Sequence, residues 1–277
     1  MIQPIDQFLA GGLSEVEDAV RDAAAAEITP RFRQLAAHEI AEKNGPYDLV
    51  TVADQQAERH LTAALTGLLP GSAVVGEEAV HADPSVLAAL RGDAPVWIVD
   101  PVDGTRQFVH GDPGFATLVA LVHRGDLLAS WTYAPALGLM AVARRGRGAE
   151  LNGERIRSGA PGPGRPLTVA VSHFDFTTDA EKRSLFGLCA DGGVEARPCG
   201  SAGLEYLNVA RGLLDAVAFT WENPWDHAAG LLLVAEAGGT SGTVAGEAFR
   251  VAGGNALPFT AARDEATARH ILGLLAD

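Results

Sequence analysis

Asp100-Pro101-Val102-Asp103-Gly104-Thr105 places two carboxylates three residues apart around a proline, a combination that suits a hard divalent cation. Side chains at i and i+3 of a regular strand point to opposite faces, so the chain is expected to turn here for Asp100 and Asp103 to converge. Pro101 removes a backbone donor and fixes one φ, leaving both carboxylates and the Val102 carbonyl to face one cation or a pair. Gly104 and Thr105 follow with backbone N–H groups at the expected start of a short helix, where a phosphate is favoured. Asp-Pro and Asp-Gly steps are also ordinary turn chemistry. A phosphorylated-aspartate mechanism on an Asp-x-Asp-Gly-Thr motif would need a spacing one residue shorter than this.

Two further carboxylate positions become informative beside that segment. Glu77-Glu78 follows the apolar run Ala73-Val74-Val75, and Asp226 follows Trp225 at the expected start of a helix. Alone, the first reads as a solvated charged pair and the second as a helix N-cap. With Asp100 and Asp103 they supply what a two-metal hydrolytic site requires, carboxylates from separate elements holding cations roughly 3.5–4 Å apart. His110, His173 and His227 read as packing or surface groups with no chemical role. Cys189 and Cys199 form no CxxC pair and read as buried, inert thiols, which excludes a disulfide framework or a zinc site.

Several elements must position these residues. The S-x-x-E pattern at Ser14 and Glu17 opens an alanine-rich segment expected to run as one helix towards Lys43, kinked at Pro30 and broken by Asn44-Gly45-Pro46. Ala57, Leu61 and Leu65 recur every four residues and predict a helix with Asp54 near its start. Ala73–Val75 and Val96–Val99 read as buried strands that deliver Glu77-Glu78 and Asp100 at their ends. Residues 116–122, 128–133 and 139–143, separated by Arg124-Gly125-Asp126 and Pro135-Ala136-Leu137-Gly138, read as an antiparallel meander. The Gly- and Pro-rich stretch from Ser158 to Pro166 is the candidate boundary between an N-terminal α+β lobe, 1–157, and a C-terminal α/β lobe, 158–277. Beyond it, strands at 167–171 and 215–219 alternate with helices at 201–212, 226–237 and from Asp264.

The 277 residues, 47% of them hydrophobic, suffice for a substantial core in one unit or two abutting lobes. A net charge of −14 argues against a nucleic-acid-binding surface, which needs a basic stripe. No apolar run reaches the roughly 20 residues that span a bilayer, and a cytoplasmic location without membrane partners is expected.

Two long signatures then converge on one family. The first runs Trp97-Ile98-Val99-Asp100-Pro101-Val102-Asp103-Gly104-Thr105-Arg106-Gln107-Phe108-Val109-His110, and the second Trp225-Asp226-His227-Ala228-Ala229-Gly230 on to Gly238-Gly239. With Gly76-Glu77-Glu78 and Asp48-Leu49-Val50-Thr51-Val52-Ala53-Asp54, the chain resembles the inositol monophosphatase family of lithium-sensitive, magnesium-dependent phosphatases over most of its length. The resemblance implies a layered αβαβα sandwich and hydrolysis of a small phosphorylated metabolite. It implies two or three Mg2+ ions held by Glu77, Asp100, the Val102 carbonyl, Asp103 and Asp226. Thr105, oriented by Asp54, would with Glu77 activate the attacking water. Gly104 and Thr105 would hold the phosphate, and Gly200, Ser201 and Ala202 would face the substrate together with Asp103 and Asp226. Lys43, Asn44 and Gly45 resemble the family's mobile loop, and a homodimer is implied.

Inositol-selective relatives carry a Glu seven residues before the second-signature Asp. Phe219 stands there, so ring hydroxyls lose an acceptor, and Glu222 lies close enough in sequence to stand in. Histidinol phosphate, fructose 1,6-bisphosphate and adenosine 3′,5′-bisphosphate are substrates of similar proteins. A catalytically silent metal-binding regulator is the alternative from another class.

Overall fold

The computed structural model describes residues 4–45 and 48–276, so Pro46, read above as a helix breaker, lies outside the described residues. Helices α1 (Pro4–Gly11) and α2 (Leu13–Ala23) open the chain, and α2 loosens through a π turn at Ala24–Ile28 into a 3-10 turn at Thr29–Arg31. The single helix expected from Ser14 to Lys43 is thus corrected at both ends. Gly12 occupies the N-cap position and the Ser14 hydroxyl bonds Glu15 instead. Pro30 sits in the terminal 3-10 turn, after which Phe32 is extended, so the proline marks the end of the helix and not a kink within it. Residues Ile40–Gly45 form β1, antiparallel to β2 (Asp48–Thr51).

Next come α3 (Val52–Leu68), β3 (Ala73–Gly76), α4 (Glu77–Ala82), β4 (Val96–Asp103) and α5 (Thr105–Val109). The expected meander is present as β5 (Ala116–His123), β6 (Asp126–Ala134) and β7 (Leu139–Arg144), continued by β8 (Gly148–Leu151) and β9 (Glu154–Ile156). These strands make a seven-stranded sheet in the order β3-β4-β5-β6-β7-β8-β9, antiparallel except for the parallel pair β3 and β4. After the segment 157–166 the chain enters a five-stranded mixed sheet. It holds β10 (Leu167–Val171), β11 (Val194–Pro198), β12 (Ala216–Phe219), β13 (Thr240–Thr243) and β14 (Phe259–Ala262) in the order β11-β10-β12-β14-β13. Helices α6 (Asp179–Ser184), α7 (Phe186–Ala190), α8 (Ala202–Ala210), α9 (Pro224–Glu236) and α10 (Glu265–Ala276) complete the chain.

The alternation of strand side chains sorts the core into layers. Trp97, Val99, Val119, Leu121 and Trp131 pack on Phe8, Val16, Val20, Leu61 and Leu65 from α1 to α3. On the opposite face, Ile98, Leu118 and Ala120 meet Ala228 and Ala229 of α9. The other side of the α8–α9 layer packs on Val217, Phe219, Phe259 and Ala261 of the second sheet. Its outer face carries Leu185, Leu188, Ile271 and Leu275 from the chain around α7 and α10. The result is the αβαβα sandwich that the family resemblance implied. No helix among the described residues is long and apolar enough to cross a membrane.

Small residues bring α8 and α9 together. A Cβ on Gly230 would lie 2.1 Å from Cδ2 of Tyr206, which is buried in α8. Gly230→Ala is therefore expected to cost about 1–3 kcal/mol through overpacking, although alanine is the better helix former, and denaturant unfolding would measure it.

Candidate active site

Asp100 and Asp103 both lie on β4, but their pairing shifts: Asp100 faces Leu118 while Asp103 faces Ala116. Three residue steps on β4 thus oppose two on β5, a bulge that swings the two carboxylates together. The expected turn is corrected to this bulge, and the sharp change of direction comes one residue later, at Gly104. That glycine has φ +85°, and a Cβ there would lie 3.0 Å from Cβ of Ser201 and 3.1 Å from the Gly114 carbonyl. It permits the left-handed step that starts α5 with Thr105.

Asp103 reaches across to the middle layer. Its Oδ1 accepts from the Ala202 N–H at 3.0 Å, and its Oδ2 accepts from the Gly203 N–H at 2.7 Å and from the Ser201 hydroxyl. Ser201 is also the N-cap of α8, accepting from the Leu204 N–H at 3.3 Å. Gly200 and Ala202 border the cavity, whereas the Ser201 hydroxyl is turned to Asp103, so its expected place facing the substrate is taken by this bond.

Asp54 has two jobs for its two oxygens. Thr51 caps α3 through the Ala53 N–H at 3.1 Å, and Asp54 Oδ2 returns to the Thr51 N–H at 2.8 Å, closing a capping box. Oδ1 is then held 3.2 Å from Thr105 Oγ1, which also lies 3.0 Å from the Val102 carbonyl. Burial raises the Asp54 pKa to about 7, with the Glu77 charge adding to it.

One helical turn along α3, Glu58 does work that sequence reasoning missed. Its carboxylate accepts from the Glu78 and Ala79 N–H groups, each at 2.8 Å, and so caps α4 and fixes Glu77. A Cβ on Gly76 would collide with that carboxylate at 2.3 Å. Its four-residue spacing from Asp54 was the available signal.

Lys43 of β1 bridges the two glutamates, donating to Glu77 Oε1 at 2.7 Å and Glu78 Oε1 at 2.5 Å. Burial alone would lower the Lys43 pKa, yet the Glu77 and Glu78 charges outweigh it and raise it. Lys43→Met is expected to destabilise the metal-free protein by up to about 3 kcal/mol, because two largely buried carboxylates lose their counter-charge. Mg2+ should recover part of that loss, and thermal unfolding with and without the ion tests both statements.

Asp226 lies in the first turn of α9, whose N-cap position belongs to Asn223, so the N-cap reading of Asp226 is corrected. The extra turn arises because Pro224 begins the helix two residues before Asp226, its missing N–H being harmless there. Asp226 Oδ2 accepts from Trp221 Nε1 at 2.7 Å and from Asn223 Nδ2 at 3.1 Å.

Ligand oxygens of Asp100, Asp103 and Asp226 all lie within 4.8 Å of one another. Glu77 lines the same cavity outside this trio, engaged by Lys43. Burial, then the neighbouring charges of Glu77 and Asp103, takes the Asp226 pKa to about 8. Asp103 rises to about 6, by burial held back by its bonds to Ser201, Gly203 and Ala202. Asp100 is pushed well above the usual carboxylate range by burial and by Glu77, Asp103 and Asp226. Its Oδ1 is buried without a hydrogen-bond partner among the described residues. An all-oxygen donor set with one orphaned carboxylate oxygen fits a hard divalent cation, and this acidic trio could hold one.

The cavity of about 650 Å³ opens from this trio between the sheets. Thr105, Arg106, Gln107, His173, Asp175, Glu181, Trp221 and Trp225 also line it. Phe219 does not: it is fully buried among Tyr206, Trp221, His227 and Phe259. Glu222 does not stand in for an acceptor there, because it is bound to the loop N–H groups of Gly254 and Asn255 at 3.2 and 2.8 Å. His227 is buried in the same aromatic cluster, and burial lowers its pKa to about 3, in keeping with a packing group. His173, expected at the surface or in the packing, borders the cavity.

The layered fold and the acidic trio define a class of hydrolase, and comparison with known proteins narrows it. The chain matches the model of the inositol monophosphatase family over residues 13–274. An inositol-1-monophosphatase of Rhizobium meliloti is 38% identical over 210 residues, which is 71% of this chain and 73% of the relative. A Pseudomonas aeruginosa protein named Nus factor SuhB is 38% identical over 204 residues, 69% of this chain and 71% of its own. Among solved structures, an IMPase of Thermotoga maritima superposes with a TM-score of 0.76 at 27% identity, covering 95% of this chain and 97% of that one. The protein is a phosphoric monoester hydrolase acting on small phosphorylated substrates. It belongs to the inositol monophosphatase family.

Proposed function

We propose that the protein is a Mg2+-dependent phosphomonoesterase that hydrolyses a small, inositol monophosphate-like metabolite by attack of an activated water. The observation that carries this reading is the Asp100 carboxylate: one of its oxygens lies within 4.8 Å of oxygens from Asp103 and Asp226, and its buried Oδ1 has no hydrogen-bond partner among the described residues. Glu77, Asp100, the Val102 carbonyl, Asp103 and Asp226 would hold two or three ions. When bound, Mg2+ supplies charge neutralisation on the phosphoryl oxygens and a more acidic water. The chain's own residues do the rest. Thr105 Oγ1 takes the proton released from the water as its own hydroxyl hydrogen passes to Asp54 Oδ1, 3.2 Å away, while the Glu77 carboxylate accepts a hydrogen bond from the same water and orients it. The N–H groups of Gly104 and Thr105 bind the phosphoryl oxygens. Gly200 and Ala202 border the leaving group, with Ser201 holding Asp103 behind them. The lobes 1–157 and 158–277 act as one catalytic unit, in a cytoplasmic homodimer without nucleic-acid or membrane partners.

A second substrate reading draws on the outer cavity. Asp48, Asp175 and Glu181 border it while Arg106 is its one Arg or Lys among the described lining residues, a balance that suits an amine-bearing ester such as histidinol phosphate. Adenosine 3′,5′-bisphosphate belongs in the same comparison.

Phosphate release tests these readings, measured with Mg2+ or EDTA against inositol 1-phosphate, histidinol phosphate, fructose 1,6-bisphosphate, adenosine 3′,5′-bisphosphate and glycerol 2-phosphate. Magnesium-dependent preference for one compound is expected and names the substrate. No release from any of them would favour a catalytically silent regulator. Millimolar lithium is expected to inhibit by competing for one ion site, and unaltered rates would count against the intact ligand set.

A further inference from the structure

Asp226 is reached by a hydrogen-bonded chain that begins in the neighbouring middle-layer helix. The Tyr206 hydroxyl of α8 lies 3.0 Å from His227 Nδ1, and His227 Nε2 lies 3.0 Å from the Trp221 carbonyl. A carbonyl only accepts, so Nε2 carries the hydrogen, and Nδ1 of the neutral ring accepts from the Tyr206 O–H. Trp221 then donates its indole N–H to Asp226 Oδ2 at 2.7 Å. Each donor in the series has one acceptor.

Ring packing immobilises the chain. Trp221 lies 4.3 Å from Phe219 and 5.2 Å from His227 between ring centroids, and His227 lies 5.0 Å from Phe259. Tyr206 and His227 have no solvent exposure. Packing alone would be served by a phenylalanine at 221; the indole N–H is the part of that ring that touches the acidic trio. Asn223 donates to the same oxygen at 3.1 Å, so Oδ2 faces two N–H donors and Oδ1 is left for a cation. One-oxygen ligation suits a small octahedral ion better than a bidentate carboxylate does.

We propose that Trp221, braced by His227 and Tyr206, is a positioning residue that orients the Asp226 carboxylate so that Oδ1 alone binds the cation. The inference rests on the metal-centred reading above. Partners that orient a ligand in this way typically change metal affinity by about 10–100-fold when removed.

Mg2+ titrated calorimetrically into metal-free protein without substrate tests it. Trp221→Phe is expected to bind Mg2+ about tenfold more weakly than the parent, and Tyr206→Phe to weaken it less, in the same direction. In the unaltered protein, the Trp221 indole N–H resonance is expected to resist hydrogen exchange and to move on addition of Mg2+, a readout that needs no variant to fold. A folded Trp221→Phe with the parent's Mg2+ affinity would overturn the proposal, as would an indole N–H that exchanges freely and ignores Mg2+. A parent that takes up no Mg2+ would overturn this proposal and the metal-centred reading together, whereas the first two results leave that reading in place.

Discussion

Asp100→Asn is expected to lower phosphate release by roughly 10³-fold while raising the melting temperature of the metal-free protein. Losing one ligand of a transition-state-stabilising cation carries a penalty of that order. The stability gain follows from what surrounds Asp100 without metal. Its side chain is almost fully buried, Oδ1 has no partner, and Glu77, Asp103 and Asp226 all oppose its ionisation. An amide of nearly the same shape enters the site neutral without having to take up a proton on folding, and a gain of about 1–2 kcal/mol is expected, a few degrees for a chain of this length. Thermal unfolding in EDTA measures it. A lower melting temperature would mean that the carboxylate holds the fold together, and would move Asp100 from the chemistry to the scaffold.

The second large effect couples Mg2+ to pH. At one hundred times its dissociation constant, an ion that binds only the folded state adds about 2.7 kcal/mol, which corresponds to roughly 5–10 °C here. In the metal-free protein Asp226 titrates at about 8 and Asp103 at about 6, both raised from 3.8 by burial. Between the unfolded and folded pKa values the native state holds more protons than the unfolded chain, so stability is full at acid pH and falls as pH rises through that window. Mg2+ needs the ionised carboxylates, and its contribution grows over the same range. Melting temperatures in EDTA should decline from pH 5 to 8.5 while those in Mg2+ hold, widening the gap. A gap that stays constant with pH would show that the carboxylates are already ionised without metal.

Local chemistry explains which parts of the molecule were legible in the sequence. Asp100 to Thr105 announced themselves because proline, glycine and two carboxylates at that spacing have few uses, and Asp54 stood near the start of a helix marked by Ala57, Leu61 and Leu65. The strands of the meander were marked by their turns. Where propensity and tertiary pairing disagreed, the sequence misled. Residues 40–45 continue an alanine- and glutamate-rich stretch, yet β1 forms because Ile40 and Ala41 pair with Thr51 and Val50. The roles of Glu58, Trp221 and Glu222 were hidden for another reason: their partners are backbone N–H groups or a carboxylate that only the folded chain brings near. Phe219 was legible as a missing acceptor, but its burial away from the cavity was not.

The grip of Asp103 on the start of α8 gives the molecule a means of checking its own completion. Asp100 and Asp103 arrive on a strand of the first sheet, whereas Ser201, Ala202 and Asp226 arrive on the middle layer. Until that layer docks, the trio of ligand oxygens does not exist. A chain caught partway through folding therefore lacks this grouping of carboxylates, and on the metal-centred reading only finished molecules would retain a divalent ion. Chelators should accordingly hasten unfolding of the mature protein while leaving early steps of refolding untouched.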